Sequence, residues 1–264
     1  MNFSVLMSVY IKETSENLAE CLDSLCRQSV KPNQVVLVED GPISDSLHEI
    51  IEEYRQTLNI HSVTLEENQG LAKALNEGLK FCEYDLVARM DSDDISLPSR
   101  FEKQLDFMEQ NPNIDASSGY IDEFDASGKV VSTRKLPILP GDVKIFAKKR
   151  SPLSHPATIF RKQAVLSVGG YPELYPEDYL LWVKMIINGS NLANIPEVLL
   201  KMRTDQAFIT RRGYEFLKGE IKIYQYMRAE GFISYFEYCK IILIRSALRL
   251  SPNFLKVMFY KFAR

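Results

Sequence analysis

The chain has 264 residues, 45% hydrophobic, 25% charged and 11% aromatic, with 12 Gly and 12 Pro; this suits one large or two small soluble domains and excludes a disordered or collagen-like chain. A net charge of −3, from 32 basic and 35 acidic side chains, excludes a nucleic-acid binder built on overall basicity. The charge is unevenly placed, since residues 231–264 carry six basic side chains against Glu237, a net +5 that leaves −8 for residues 1–230.

The first half reads as alternating strand and helix. Residues 3–10 are apolar and β-rich. Thr14 or Ser15 then caps a helix whose apolar residues Leu18, Cys21, Leu22, Leu25 and Cys26 fall at i, i+3, i+4, i+7 and i+8. Residues 34–38 form a short buried strand before the turn-like Asp40-Gly41-Pro42. A helix over 45–57 and a strand over 60–65 follow. Asn68-Gln69-Gly70 opens a helix with Leu71, Leu75 and Leu79 on one stripe, and a fourth strand over 84–90 ends in acid. This order predicts an α/β fold with a parallel sheet, and ligands bind beyond the carboxyl ends of such strands. Tyr10, Glu39-Asp40 and Asp91-Ser92-Asp93-Asp94 stand at those ends.

In the second half Pro98 suits the first turn of a helix to about Gln110. Residues 118–124 and 129–133 flank Asp125-Ala126-Ser127-Gly128 as a hairpin, residues 154–160 suit a strand, and 178–188 a buried helix. From Gly213 onward the chain reads as helical, with Ser251-Pro252 dividing the end in two. Cys21, Cys26, Cys82 and Cys239 form no CxxC pair, and the expectation is reduced thiols in a cytoplasmic protein. Met1-Asn2-Phe3-Ser4 reads without a secretory signal, and no uncharged apolar run reaches the ~18–20 residues of a membrane span.

Asp91, Asp93 and Asp94 put three carboxylates within four residues, which repel unless solvent, donors or a cation compensate. They read either as an acidic turn before a helix or as hard oxygen ligands for Mg²⁺ or Mn²⁺. Glu177-Asp178 reads as a helix cap or as a general base. Asp40 reads as a turn residue or as a contact to nucleobase or ribose, and Asn68-Gln69-Gly70 as a plain loop or a close approach to a nucleotide. His155 is a lone histidine, more often structural than a ligand. Arg203 and Arg211-Arg212-Gly213 suit a solvated surface or charge-assisted bonds to a diphosphate.

In order along residues 1–210 stand Ser4-Val5-Leu6-Met7-Ser8-Val9-Tyr10, Val38-Glu39-Asp40-Gly41, Asn68-Gln69-Gly70-Leu71-Ala72-Lys73-Ala74-Leu75-Asn76, Met90-Asp91-Ser92-Asp93-Asp94, Leu97-Pro98-Ser99-Arg100, Gly169-Gly170-Tyr171 and Glu177-Asp178-Tyr179-Leu180-Leu181-Trp182. Together they resemble the family-2 glycosyltransferases of GT-A fold, and Arg203 with Arg211-Arg212-Gly213 resembles a bacterial subgroup that builds capsule, O-antigen and exopolysaccharide.

The resemblance implies a Rossmann-like, mostly parallel central sheet flanked by helices, with a catalytic domain over 1–212 divided into a nucleotide half (1–95) and an acceptor half (96–212). A basic helical segment follows over 213–264. It implies inverting, metal-dependent transfer of a hexose from a UDP-sugar to a saccharide acceptor on a lipid diphosphate. Tyr10 and Asp40 would contact uridine, Asn76 or the Asn68–Gly70 loop would line the nucleotide, and Asp91 would meet ribose or sugar and share the metal with its main ligand, Asp93. Asp94 would touch the donor sugar, and Arg203 and Arg211 the diphosphate. Asp178 would be the base, with Glu177 beside it orienting the acceptor. Asp205 or His155 stands as a possible third metal ligand.

Residues 231–264 mix apolar and basic side chains and read either as helices packed on the domain or as an interfacial anchor on an anionic membrane; peripheral attachment to the cytoplasmic face of the inner membrane is the expectation. Two other functions fit part of the pattern. One is a catalytically silent nucleotide-sugar-binding subunit. The other is an aspartate-nucleophile phosphatase, which expects its Asp-x-Asp near the N-terminus and leaves Glu177-Asp178 without a role.

Overall fold

The computed structural model describes residues 1–204 and 213–250. Strand β1 (Phe3–Val9) sends Phe3, Val5, Met7 and Val9 to one face of the sheet and Leu6 to the other. β2 (Gln34–Glu39) divides Val35 and Leu37 from Val36 and Val38 in the same way, as the two-residue period of a strand buried on both faces requires. Helix α1 (Ser15–Cys26) is capped by Thr14, whose hydroxyl accepts from the Asn17 amide at 3.2 Å, so Thr14 is the cap among the two candidates. α2 (Asp45–Arg55), β3 (Ile60–Thr64), α3 (Leu71–Phe81) and β4 (Leu86–Arg89) complete a parallel half in the order β3-β2-β1-β4.

The second half is mixed. It contains β5 (Ile95–Ser96), α4 (Arg100–Gln110), the antiparallel pair β6 (Ala116–Phe124) and β7 (Val130–Arg134), α5 (Pro140–Ala147), β8 (Ile159–Arg161), α6 (Lys162–Leu166), α7 (Glu177–Ile187) and β9 (Leu192–Arg203). β8 runs antiparallel to β4 and β6, β9 runs parallel to β6, and β5 closes the far edge of the continuous sheet. The strand expected over 154–160 is shorter, because Ser154-His155-Pro156-Ala157 makes a 3-10 turn first. Pro98 lies outside α4.

Two apolar cores cover the two faces. α1, α2 and α4 pack on one, and α3, α5, α6 and α7 on the other. A third cluster joins α7 to α8 (Tyr214–Ala229) and α9 (Tyr235–Leu250) through Tyr179, Leu180, Val183, Ile223, Tyr224, Met227 and Ile233. The described part of the basic segment is therefore packed on the domain. Tyr224 also donates its hydroxyl to the Lys149 carbonyl at 2.8 Å, and Arg245 donates to the Tyr224 oxygen at 3.2 Å. The helix break in this region falls between α8 and α9; the one expected at Ser251-Pro252 lies outside the described residues.

Candidate active site

The carboxyl ends of β1, β2 and β4 line one rim of the parallel half. Tyr10 follows β1 and is 40% exposed. Asp40 follows β2 and is buried. One of its carboxylate oxygens accepts from the Gln69 amide at 2.7 Å and the other from the Gly70 amide at 3.1 Å, while Asn68 donates its side-chain amide to the Asp40 carbonyl at 3.1 Å. Gly41 has φ +81°, and a Cβ there would stand 2.5 Å from the Asn68 nitrogen. Asp40-Gly41 and Asn68–Gly70 therefore form one locked unit, and the Asp40 carboxylate is committed to holding the loop.

Asn76, on α3, is likewise committed. Its side-chain amide donates to the Tyr171 carbonyl and accepts from the Tyr171 amide, both at 2.8 Å. Gly170, at φ +74°, lies so close to that side chain that a Cβ would overlap it. Two separated sequence motifs are thus a single joint between α3 and the loop ahead of α7.

The acidic loop after β4 is tied on every side. Arg89 donates to Asp91, Ser92 donates to Glu13 at 2.7 Å, and the buried thiol of Cys21 donates to the Asp91 carbonyl at 3.3 Å. The Arg203 amide donates to Asp94 at 2.9 Å, and its guanidinium donates to the Asp93 carbonyl at 3.1 Å and to Glu20 at 2.5 Å while lying over the Phe124 ring. Arg203 thus braces the acid loop. Burial, reinforced by Asp91 and then Glu13, pushes the Asp93 carboxyl up to about 7; burial with Asp91 and Asp93 holds Asp94 well above the usual carboxylate range.

Across the site α7 begins at Glu177. Its N-cap is Pro176, so Asp178 is the second helical residue, and Ser151 donates to it at 3.1 Å. Helix packing sets this position. Tyr179, Leu181 and Trp182 are buried behind the acids, and Gly219 of α8 sits so tightly on the Tyr175 carbonyl that a Cβ would overlap it. Burial first, then Asp178, raises the Glu177 carboxyl to about 7.

The carboxylates of 91–94 suit a hard divalent ion, and a cation relieves the crowding that raises Asp93. Among the described residues no three His, Cys, Asp or Glu side chains form a ready cage. His155 lies apart from these acids in an aromatic cluster, its Nε2 3.3 Å from the Tyr171 hydroxyl and its ring against Trp182. Burial, with Arg89, holds it well below the usual histidine range, hence neutral. Arg211 and Asp205 lie outside the described residues. Arg89 is the site residue that sequence reasoning missed; its signal was a charge closing an otherwise apolar strand.

Comparison with known proteins gives a consistent picture. The Glycosyl transferase family 2 model matches residues 4–168. The chain is 42% identical, over 97% of its length and 96% of the relative's, to the amylovoran biosynthesis glycosyltransferase AmsE of Erwinia amylovora. It is 40% identical, over 98% and 95%, to the UDP-Gal:alpha-D-GlcNAc-diphosphoundecaprenol beta-1,3-galactosyltransferase of Escherichia coli. Among solved structures, S. aureus TarS 1-349 in complex with UDP-GlcNAc superposes with a TM-score of 0.70 at 23% identity, covering 94% of this chain and 73% of that one. The mannosyltransferase PcManGT of Pyrobaculum calidifontis, in complex with GDP-Man and Mn²⁺, gives 0.69 at 16% identity over 95% and 71%. With an acid loop held at the rim of a parallel half-sheet and relatives alike end to end, the chain belongs to glycosyl transferase family 2 and carries the GT-A fold.

Proposed function

We propose that this protein is an inverting, metal-dependent hexosyltransferase that moves a sugar, galactose first among the candidates, from UDP to a saccharide on a lipid diphosphate in surface-polysaccharide synthesis. The observation that carries the reading is the acid loop that Arg89, Cys21 and Arg203 hold at the carboxyl end of β4, in a chain that belongs to glycosyl transferase family 2. The E. coli relative's name gives the donor and acceptor class, and AmsE's gives the pathway type.

In this reading Asp93 and Asp91 would hold Mn²⁺ or Mg²⁺, which when bound neutralises charge developing on the departing diphosphate. Asp178 takes the proton of the acceptor hydroxyl, and Glu177 orients that acceptor and raises the basicity of its neighbour. Attack from the face opposite the diphosphate converts an α-linked donor into a β-linked product. Tyr10 lies against the base, and Gly70 lets the nucleotide approach the loop that Asp40 and Asn68 hold. Asn76 and Arg203 act through the segments they brace, Asp94 through the sugar, and Arg211 on the diphosphate.

The second part of the reading concerns the membrane. No helix among the described residues is long and apolar enough to cross one. On α9, Tyr235, Phe236, Leu243 and Ile244 are exposed, with Lys240 between them. An apolar row beside basic charge suits the surface of an anionic bilayer, where a lipid-linked acceptor resides.

A panel of UDP-sugars, assayed for UDP release with and without Mn²⁺ and a lipid-diphosphate-linked acetamido sugar, tests the proposal. Acceptor-dependent release from UDP-galactose that requires the metal is expected. Release from none of the donors, with protein that is folded, overturns it and favours a silent binding subunit.

A further inference from the structure

The short segment after α5 carries Ser151, to which none of the roles above falls. The fold pins this segment on both sides of that residue. Before it, the Ala147 carbonyl accepts from the Tyr179 hydroxyl of α7 at 2.8 Å, and Lys148 Nζ reaches Glu237 of α9 at 3.2 Å. The Lys149 carbonyl accepts from the Tyr224 hydroxyl of α8 at 2.8 Å and also from the Arg245 guanidinium of α9. After it, the Pro152 carbonyl accepts from the buried Asn194 side-chain amide at 3.0 Å. Arg245 is itself seated, since it donates to the Tyr224 oxygen at 3.2 Å and lies 3.7 Å from the buried Glu220.

The Ser151 hydroxyl stands 3.1 Å from one Asp178 carboxylate oxygen and 3.2 Å from the Leu153 carbonyl. A hydroxyl has one proton to donate, and a bond to a charged acceptor is the stronger of the two. Packing of α7 fixes where the Asp178 backbone stands. The last torsion of an aspartate is broad and two-fold, however, so hydrogen bonds set the plane of its carboxylate. Ser151 reaches that carboxylate from a segment that α8 and α9 hold in place.

We propose that Ser151 is a positioning residue of the transfer reaction: held by α8 and α9 through Lys149, it sets the rotation of the Asp178 carboxylate toward the acceptor hydroxyl. A base turned off the line of its proton loses rate while donor binding is untouched. The two helices therefore contribute to the rate through a chain of bonds that ends on Asp178, apart from any membrane contact. This rests on the transferase reading above, which makes Asp178 the base.

The experiment measures transfer by the full chain from UDP-galactose, or the donor that the panel selects, to the lipid-diphosphate-linked acetamido sugar, with UDP affinity by calorimetry beside it. Ser151→Ala is expected to lower kcat about tenfold, with UDP binding and the KM for donor within about twofold of wild type. Arg245→Gln is expected to lower kcat about threefold in the wild-type chain and by less than about 1.5-fold in Ser151→Ala, because the arginine acts through the serine. A merely structural serine moves kcat and the donor KM together, and an arginine that only stabilises the tail costs the same factor in both backgrounds. Either result, or a Ser151→Ala kcat within about twofold of wild type, overturns the proposal. Should Arg245→Gln fail to fold, Tyr224→Phe takes its place in the comparison, with the same two outcomes. An active wild type with an unaffected Ser151→Ala sinks this proposal alone. A wild type that releases no UDP from any donor sinks the transferase reading and this proposal with it.

Discussion

The acid loop after β4 and the acid pair heading α7 carry the same chemical group, yet the fold holds them by different means. Asp91–Asp94 are fastened atom by atom, through Arg89, Cys21, Glu13 and both the amide and guanidinium of Arg203. Glu177 and Asp178 owe their place to the burial of Tyr179, Leu181 and Trp182 beneath them and to α8 pressed against the preceding turn. A socket for a charged ligand must keep repelling carboxylates in one arrangement, which takes many short bonds. A proton-transfer group needs a shifted affinity for its proton, which burial and one like-charged neighbour supply.

The sharpest way to break this contrast is Asp178→Asn. It is expected to lower kcat by roughly 10²–10⁴ while UDP affinity stays within about twofold; transfer within tenfold of wild type removes Asp178 as the base. Next comes Asp93→Asn, expected to weaken the Mn²⁺-dependent part of UDP binding by about tenfold or more, roughly 1.4 kcal/mol, with kcat at saturating donor less affected. Calorimetry showing the same UDP affinity with and without Mn²⁺ in the wild type takes the metal out of the scheme.

A smaller effect concerns pH. With its carboxyl raised to about 7, Glu177 binds its proton more tightly folded than unfolded, so its contribution to stability is complete below about pH 4.5 and fades as pH climbs through 7. Wild-type Tm should therefore fall more steeply between pH 5 and 8 than that of Glu177→Gln, and the variant should lose an acid limb near pH 7 from kcat/KM. Parallel Tm curves speak against a raised Glu177. The mildest expectation is for α9: Phe236→Asp with Leu243→Asp should reduce flotation on anionic liposomes severalfold and leave activity on a soluble acceptor intact. Unchanged flotation rejects the membrane face.

The parallel half was legible because its strands and helices keep clean periods of two and 3.6, and strands buried on both faces read as apolar runs. β9 was not. Pro196 and Glu197 interrupt its pattern, and its partner β6 shifts register around Gly119 and Tyr120, so twelve residues of strand read as mixed sequence. The site residues were visible by type and order, whereas their bonds were not. Nothing local in Asp40 or Asn76 tells that their oxygens are spent on backbone amides 29 and 95 residues away. The packing of α8 and α9 depended on contacts that only folding brings together.

The glycine at 219 has a wider consequence. With no side chain it lets α8 rest directly on the carbonyl of Tyr175, two residues before the acid pair. The tail therefore packs directly on the turn that leads into the acid pair, and whatever seats the tail bears on those acids through this contact and through the apolar cluster shared with α7. Gly219→Ala is the smallest change that would pry the two apart.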